Sequence, residues 1–492
     1  MMYFLLNDKE IKNNIYIPKY YDPEVHIQLK KLKKICTVIT LEELIDNKKV
    51  SVSTGNEIGK MAYGTGNIPF IRTSDLSNWE IKAVPKQGVS LNIYKKYAAK
   101  QDIQANDILL VKDGTYLIGT SCFITDIDLP MLFQSHLLRF RALDKDYLDS
   151  YYLFLALNST IVQKQLRDKQ FSSDIIDTIG DRYKEIYIPI IEDANERKNL
   201  SKEFRDKIKD KIRFRAAIRQ FPFLIEEVLK TGSTDALDKF LSQDVDVLSK
   251  CLKQETTTQE MGSFSCFTIK ESNIKEDIYI PKYYDPFLNN DLKDLVSTCL
   301  FYKINDLIKN KYLVSSTGDE IGKMAYGTGD IPFVRTSDFS NWEIFAKPKQ
   351  GVSEKIYQKY AKKQDVKEGD ILIVRDGTYL VGSSCIITKD ETKLLYCGGL
   401  IKLRSLDHNF INPYLLLGLL NSSIVKRQIR AKQFSRDVIE TLGTRFGEII
   451  LPIPKDIELR KDISFFVSLI IRNRIVARDF ITNLASNLFS SF

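Results

Sequence analysis

Arg72, Thr73, Ser74 and Asp75 follow one another in "IPFIRTSD", and Lys112, Thr115 and Tyr116 lie in "VKDGTYLIG". Cations, hydroxyls and a carboxylate on glycine-bounded turns suit an anionic polymer. Lys and Arg neutralise phosphates, turn N–H groups approach a backbone closely, and Arg, Asn, Gln and Asp can read base edges in the major groove. The set recurs 263 residues later as Arg335, Thr336, Ser337 and Asp338, then Arg375, Thr378 and Tyr379. Lys60, Tyr63, Lys86 and Gln87 surround the first set, and Lys323, Tyr326, Lys349 and Gln350 the second. Lys169-Gln170 and Lys432-Gln433 open a further polar loop in each copy. All of these are candidate DNA contacts. Each also has a structural reading: Gly55, Gly64 and Gly66 can serve turns, Trp79 and Tyr116 can be core, Asp75 can cap a turn and "KQF" can end a helix.

Other chemistries fail on spacing. In "GNEIGK" only three residues separate Gly55 from Gly59, and Met61 stands where a phosphate-binding loop needs Ser or Thr. Asp75 with Glu80 and Lys82 has the residue types of a metal-dependent nuclease, but Phe345 replaces the lysine in the second copy. His26, His136 and His408 are the only histidines and occupy no equivalent positions, which disfavours repeated histidine acid–base or metal chemistry. "NPY" at Asn412 matches part of an adenine methyltransferase motif, yet its counterpart is Asp149, Ser150 and Tyr151, and no glycine-rich cofactor loop follows a strand. The expectation is a non-catalytic chain with no cofactor or metal of its own.

Positioning such loops twice requires two copies of one framework. Residues 53–82 and 316–345 differ at only five of thirty positions: Asn56/Asp319, Asn67/Asp330, Ile71/Val334, Leu76/Phe339 and Lys82/Phe345. The same offset relates "IYIPKYYDP" from Ile15 to its copy from Ile278, "DGTYLIGTSC" from Asp113 to "DGTYLVGSSC" from Asp376, and "YIPI" from Tyr187 to "ILPI" from Ile450. At 492 residues the chain is too long for one core. Short β-branched and aromatic runs such as "IPFIRT", "DILLVKD" and "SCFIT" predict strands, whereas "SYYLFLALNSTIVQKQLRDKQ" from Ser150 predicts two helices broken near Asn158 and Ser159. The fold class is α+β, as two tandem repeats.

Each repeat closes on a predicted long helix. Leu200, Phe204, Ile208 and Ile212 stand four apart in the first, and Ile463, Phe466, Ile470 and Val476 mark the second. Pairing the stripes gives an antiparallel coiled-coil-like spacer. The expected organisation is a recognition domain over 1–192, a helix over 193–229, a polar linker over 230–263 with a short helix around Ala236–Leu252, a second domain over 264–455 and a second helix over 456–492.

Seventy-two Lys and Arg against 64 Asp and Glu leave a net charge of +8, which permits an anionic partner. Seven scattered cysteines without a paired C-x-x-C spacing signal neither a disulfide framework nor zinc, and no apolar stretch approaches membrane-spanning length. A soluble, cytoplasmic protein is expected.

With these segments in place, the chain resembles the specificity subunit of type I restriction-modification systems over nearly its whole length. The resemblance is carried in order, twice, by "YIPKYYDP", by "GNIPFIRTSDLSNWEI" and "GDIPFVRTSDFSNWEI", by "ANDILLVKDGTYLIG" and "EGDILIVRDGTYLVG", and by the "YIPI" and "ILPI" entries into the helices. Glu196-Arg197 and Leu459-Arg460 stand where the family opens the helix with Glu-Gln, a departure at a position that bears on partner docking. The resemblance implies two target recognition domains that read a bipartite double-stranded DNA site. It implies two DNA adenine methyltransferase subunits as partners and an ATP-dependent restriction subunit for cleavage, with S-adenosylmethionine, ATP and Mg bound by those partners. The near-identical loops further predict half-sites that are inverted copies, imperfect chiefly where "DIDLPMLFQSHLLRF" from Asp126 departs from "KDETKLLYCGGLIKL" from Lys389, with Lys82 against Phe345 as a second source. A recognition subunit of another phage-defence complex, or an anti-restriction decoy, is the alternative that neighbouring genes would discriminate.

Overall fold

The computed structural model describes residues 11–12, 15–114, 116–173, 176–243, 266–275, 278–377, 379–436 and 439–489. Thr115, Thr378 and the part of the expected linker helix beyond residue 243 lie outside them. Two compact units emerge: one holds the described residues up to Ile212 together with 476–489, the other 213–243 and 266–475. The α+β expectation is borne out in both.

In the first unit an antiparallel sheet runs in the order Val50–Thr54, Leu137–Ala142, Ile108–Val111, Ser121–Phe123. A smaller sheet centres on Ile68–Ile71, paired antiparallel with Gly88–Val89 and parallel with Leu132–Phe133. The central strand Ile108–Val111 is continuously apolar because both its faces are covered: Ile108, Leu109, Leu110 and Val111 are all buried. Ser90 caps the helix Leu91–Gln101 by accepting from Ile93 N–H, and Asp102 ends it with a left-handed φ of 42°. The second unit repeats this layout, with Leu313–Thr317, Leu400–Ser405, Ile371–Val374 and Ser384–Ile386 in the same order.

A buried carboxylate pins each sheet to that helix end. Arg141 grips Asp107 through Nε at 2.7 Å and Nη2 at 2.8 Å and reaches Asp102 through Nη1 at 2.7 Å. Arg404 does the same to Asp370 at 2.6 and 2.8 Å and to Asp365 at 2.7 Å. Asp107 and Asp370 are buried, so these bidentate pairs orient the framework strongly.

The long helices span Ala194–Thr231 and Ile457–Asn487, each contributing a segment to each unit. In the first unit the expected stripe Leu200, Phe204, Ile208 and Ile212 joins a core that also takes Ile481, Ala485 and Leu488 from the end of the other helix. In the second unit Phe221 stacks near Phe466, with ring centroids 6.2 Å apart, and Arg474 pairs with buried Glu343 at 2.8 Å. Val476 departs from its expected place in the second stripe: it is exposed, and Ile471, Ala477 and Ile481 are the buried positions beside it. Val476 stands six residues beyond Ile470, a step that turns it about 120° round the helix and off the buried face. The linker's described helix is Asp235–Ser242.

Among the described residues no helix is long and apolar enough to cross a membrane, and no group of three or more His, Cys, Asp or Glu side chains is placed to hold a metal ion.

Candidate nucleic-acid interface

Strand direction gathers the loops. Ile68–Ile71 and Leu132–Phe133 are parallel, so Arg72 and Gln134, the residues that follow them, leave the sheet at the same edge. Leu137–Ala142 starts at that edge and runs antiparallel to Ile108–Val111 and Val50–Thr54, with Leu137 opposite Val111 and Leu138 opposite Thr54. Lys112 and Gly55 therefore emerge there too. Backbone hydrogen bonds lock the junction: Gln134 N–H donates to Ile71 O at 2.9 Å, Lys112 N–H to His136 O at 3.0 Å and Asn56 N–H to Phe133 O at 3.2 Å. The crossing is so close that a Cβ at Gly55 would lie 2.2 Å from Phe133 O, and one at Gly318 would lie 2.3 Å from Cys397 O. Only glycine fits at either position.

The Arg72 turn is built around a buried acid. Asp75 accepts from Arg72 N–H at 3.0 Å and Lys86 N–H at 3.2 Å, and Asp338 accepts from Arg335 N–H at 2.9 Å. Burial raises the pKa of both carboxyls, opposed by Lys82 and the turn N–H groups at Asp75 and by Lys349 and the Arg335 N–H at Asp338. Burial also lowers Lys86, against the pull of Asp75. Asp75 and Asp338 are thus anchors inside the turn rather than groups offered to a ligand. Arg72 lies 5.7 Å from the Tyr63 ring, which stacks on Phe70, and Arg335 lies 5.7 Å from Tyr326, which stacks on Phe333. The aromatic support holds each guanidinium at the edge.

The Lys112 loop carries the cation beside an acid with two hydrogen-bonding arms. Asp113 accepts from the Thr178 hydroxyl and meets His136 Nδ1 at 2.7 Å. The loop backbone pairs with the strand Ile176–Thr178, itself antiparallel to Phe171–Ser173, because Gly114 N–H donates to Asp177 O at 2.8 Å. Gln170 is drawn in as well, its Nε2 donating to Asp177 Oδ2 at 2.7 Å. In the second unit Gly377 N–H donates to Glu440 O at 2.9 Å and Gln433 Nε2 donates to Glu440. Tyr116 and Tyr379 stand 60% and 63% exposed on this loop, so they are surface aromatics and not core.

Several expected contacts are turned inward. Lys169 pairs with Glu185 at 3.0 Å and covers the Tyr20 ring at 4.2 Å, while Lys432 pairs with Glu448 at 3.0 Å and covers Tyr283 at 4.5 Å. Burial opposes ionisation of Glu448, but hydrogen bonds from Tyr283 and Lys432 bring its pKa down to about 2. These lysines tie the "KYY" segment to the body of the unit. Gln87 and Gln350 are buried. Thr73, Ser74, Thr336 and Ser337 are half-buried on the turn, and Lys60 and Lys323 are exposed.

Gln134–His136 and its counterpart Cys397–Gly399 bridge the two cationic loops, inside the segments whose divergence the sequence marks. Two features at the edge escaped sequence reasoning: Glu57 and Glu320 lie beside that bridge, and Met61 and Met324 protrude 92% exposed next to Lys60 and Lys323. Identity of Met61 and Met324 within a repeated polar loop was the available signal for the last.

No family model matches the sequence, and no curated protein matches it. Comparison with solved structures finds a type I restriction-modification S subunit from M. genitalium at 14% identity and TM-score 0.34, covering 92% of this chain and 94% of that one. It also finds a chain from work on complex assembly and conformational transition of the type I R-M system, at 14% identity, TM-score 0.28 and coverages of 93% and 97%. The HsdS subunit from Thermoanaerobacter tengcongensis follows at 12%, 0.26, 94% and 93%.

Proposed function

We propose that the chain is the DNA-recognition subunit of a type I restriction-modification complex, each unit gripping one half of a bipartite duplex site. The observation that supports this reading most is the duplicated edge. Arg72 on Tyr63 and the Lys112 loop lie at one sheet edge of the first unit, and Arg335 on Tyr326 and the Arg375 loop at the matching edge of the second. Cations supply phosphate contacts at these edges, and the exposed tyrosines and turn groups supply contacts to bases.

In this reading the chain is non-catalytic and binds no cofactor of its own. Two DNA adenine methyltransferase subunits dock on it, carry S-adenosylmethionine and take the flipped adenine into their own pockets. An ATP- and Mg-dependent restriction subunit joins for cleavage. The near-identical frames, with each long helix lending a segment to each unit, favour half-sites that are inverted copies. The test is duplex binding by the full chain across a salt series, followed by incubation with S-adenosylmethionine. Steeply salt-dependent binding without methylation is expected. Absence of duplex binding, or methylation by the chain alone, contradicts the proposal.

A further inference from the structure

We infer that Gln134–His136, acting with Lys112, determines what the first unit reads at one position of its half-site, and that Cys397–Gly399 with Arg375 imposes a different preference in the second. This rests on the proposed DNA-recognition role and narrows it to a specificity-determining segment. The segment occupies the same place in both units: Gln134 N–H donates to Ile71 O at 2.9 Å and Cys397 N–H to Val334 O at 3.0 Å, while Lys112 N–H donates to His136 O at 3.0 Å and Arg375 N–H to Gly399 O at 2.9 Å. The frame is common, and the side chains on it are not.

The difference is organised around one carboxylate. In the first unit Asp113 takes the Thr178 hydroxyl on one oxygen and His136 Nδ1 at 2.7 Å on the other. Among the described residues Lys112 then makes no ion pair, so its ammonium is available to an incoming phosphate or base. In the second unit the Thr441 hydroxyl takes the matching oxygen of Asp376, but a glycine stands where His136 would be. Arg375 folds back instead, reaching Asp376 Oδ2 through Nε at 3.0 Å and Nη2 at 2.7 Å. The same acid is satisfied from the bridging segment in one unit and by its own neighbour in the other.

The glutamates follow suit. Glu57 accepts from the Ser135 hydroxyl and faces His136 Nε2 at 3.8 Å. Glu320 instead lies over Gly398, its Oε1 only 2.7 Å from where a Cβ would be. The first unit thus presents an imidazole and an uncommitted lysine, the second bare backbone and a committed arginine. Hydrogen-bonding groups discriminate between base edges, whereas an open glycine surface admits several, so the first unit is the more selective at this position.

The experiment selects bound duplexes from a random library with the full chain, in wild-type form, with His136→Gly, and with the four-residue graft Lys112→Arg, Gln134→Cys, Ser135→Gly and His136→Gly. The second unit carries these four residues on the same frame. The wild type is expected to yield two related half-sites that differ at one position. The graft should remove the difference, lowering the first half-site's preference there by roughly 10- to 100-fold while the second half-site and all other positions stay unchanged. A purely structural role would weaken every position of the first half-site together. That outcome, or an unchanged preference in a graft that still binds, overturns the inference. Should the graft not bind, the single variant decides by the same measure. Failure of the wild type to select any duplex sinks the DNA-recognition reading itself.

Discussion

Asp113 and Asp376 occupy the same turn of the same frame, yet one is held by a histidine and the other by the arginine beside it. Elsewhere the two units agree closely: the clamps of Arg141 on Asp107 and Arg404 on Asp370 match within 0.1 Å, and the Arg72 and Arg335 guanidinium groups sit at the same 5.7 Å from their tyrosines. Duplication has preserved what positions the loops and altered what lies between them. Frame and edge side chains are therefore separable in this molecule.

If the frames are equivalent, damage to them must be equivalent. Asp107→Ala and Asp370→Ala each take the bidentate acid from a half-buried arginine and the acceptor from the Gln104 or Lys367 N–H, and each is expected to lower the stability of its own unit by about 3–5 kcal/mol in urea denaturation followed by hydrogen exchange. A large loss in one unit and none in the other would break the comparison.

Next in size, Arg72→Ala and Arg335→Ala should each weaken binding at one half-site by about 1–3 kcal/mol and leave the other intact, measured on duplexes with either half scrambled. Equal weakening at both halves would place these arginines in general phosphate contact.

A smaller effect separates the units by pH. Lys426 replaces Gln163, and burial lowers its pKa to about 7 while Nζ donates to Gly382 O at 2.5 Å. A lysine that binds its proton more weakly when folded costs stability wherever the unfolded chain is charged. The second unit should therefore gain stability as pH rises from about 7 towards the ordinary lysine value, and lose it as pH falls back. Lys426→Gln should flatten that slope and raise stability near pH 7 by roughly 1–2 kcal/mol, leaving the first unit unchanged. The smallest effect is expected of Lys169→Met and Lys432→Met on DNA affinity, less than about 0.5 kcal/mol, since their charges are spent on Glu185 and Glu448. A large loss of affinity would return them to the interface.

The repeat, the strands and the helix break at Asn158–Ser159 were legible because each is written in local pattern: 263-residue identity, β-branched runs between glycines, a Ser after a helical stretch. The loops of the edge were legible as polar, glycine-bounded turns. Their convergence was not, because it depends on the parallel pairing of Ile68–Ile71 with Leu132–Phe133, two strands about sixty residues apart whose partnership no local pattern encodes. Lys169 misled for the same reason. Its partners Glu185 and Tyr20 come from different parts of the chain, although Lys432, Glu448 and Tyr283 repeat the trio and could have exposed it. Asp75 read as a contact residue because sequence reports its charge and not its burial.

The most direct test of the account is single-molecule sequencing of methylated adenines in cells carrying this chain with the methyltransferase proposed to dock on it. The account predicts one bipartite motif whose halves are inverted copies, or nearly so, with one modified adenine on each strand. Two half-sites with no inverted relation would contradict it.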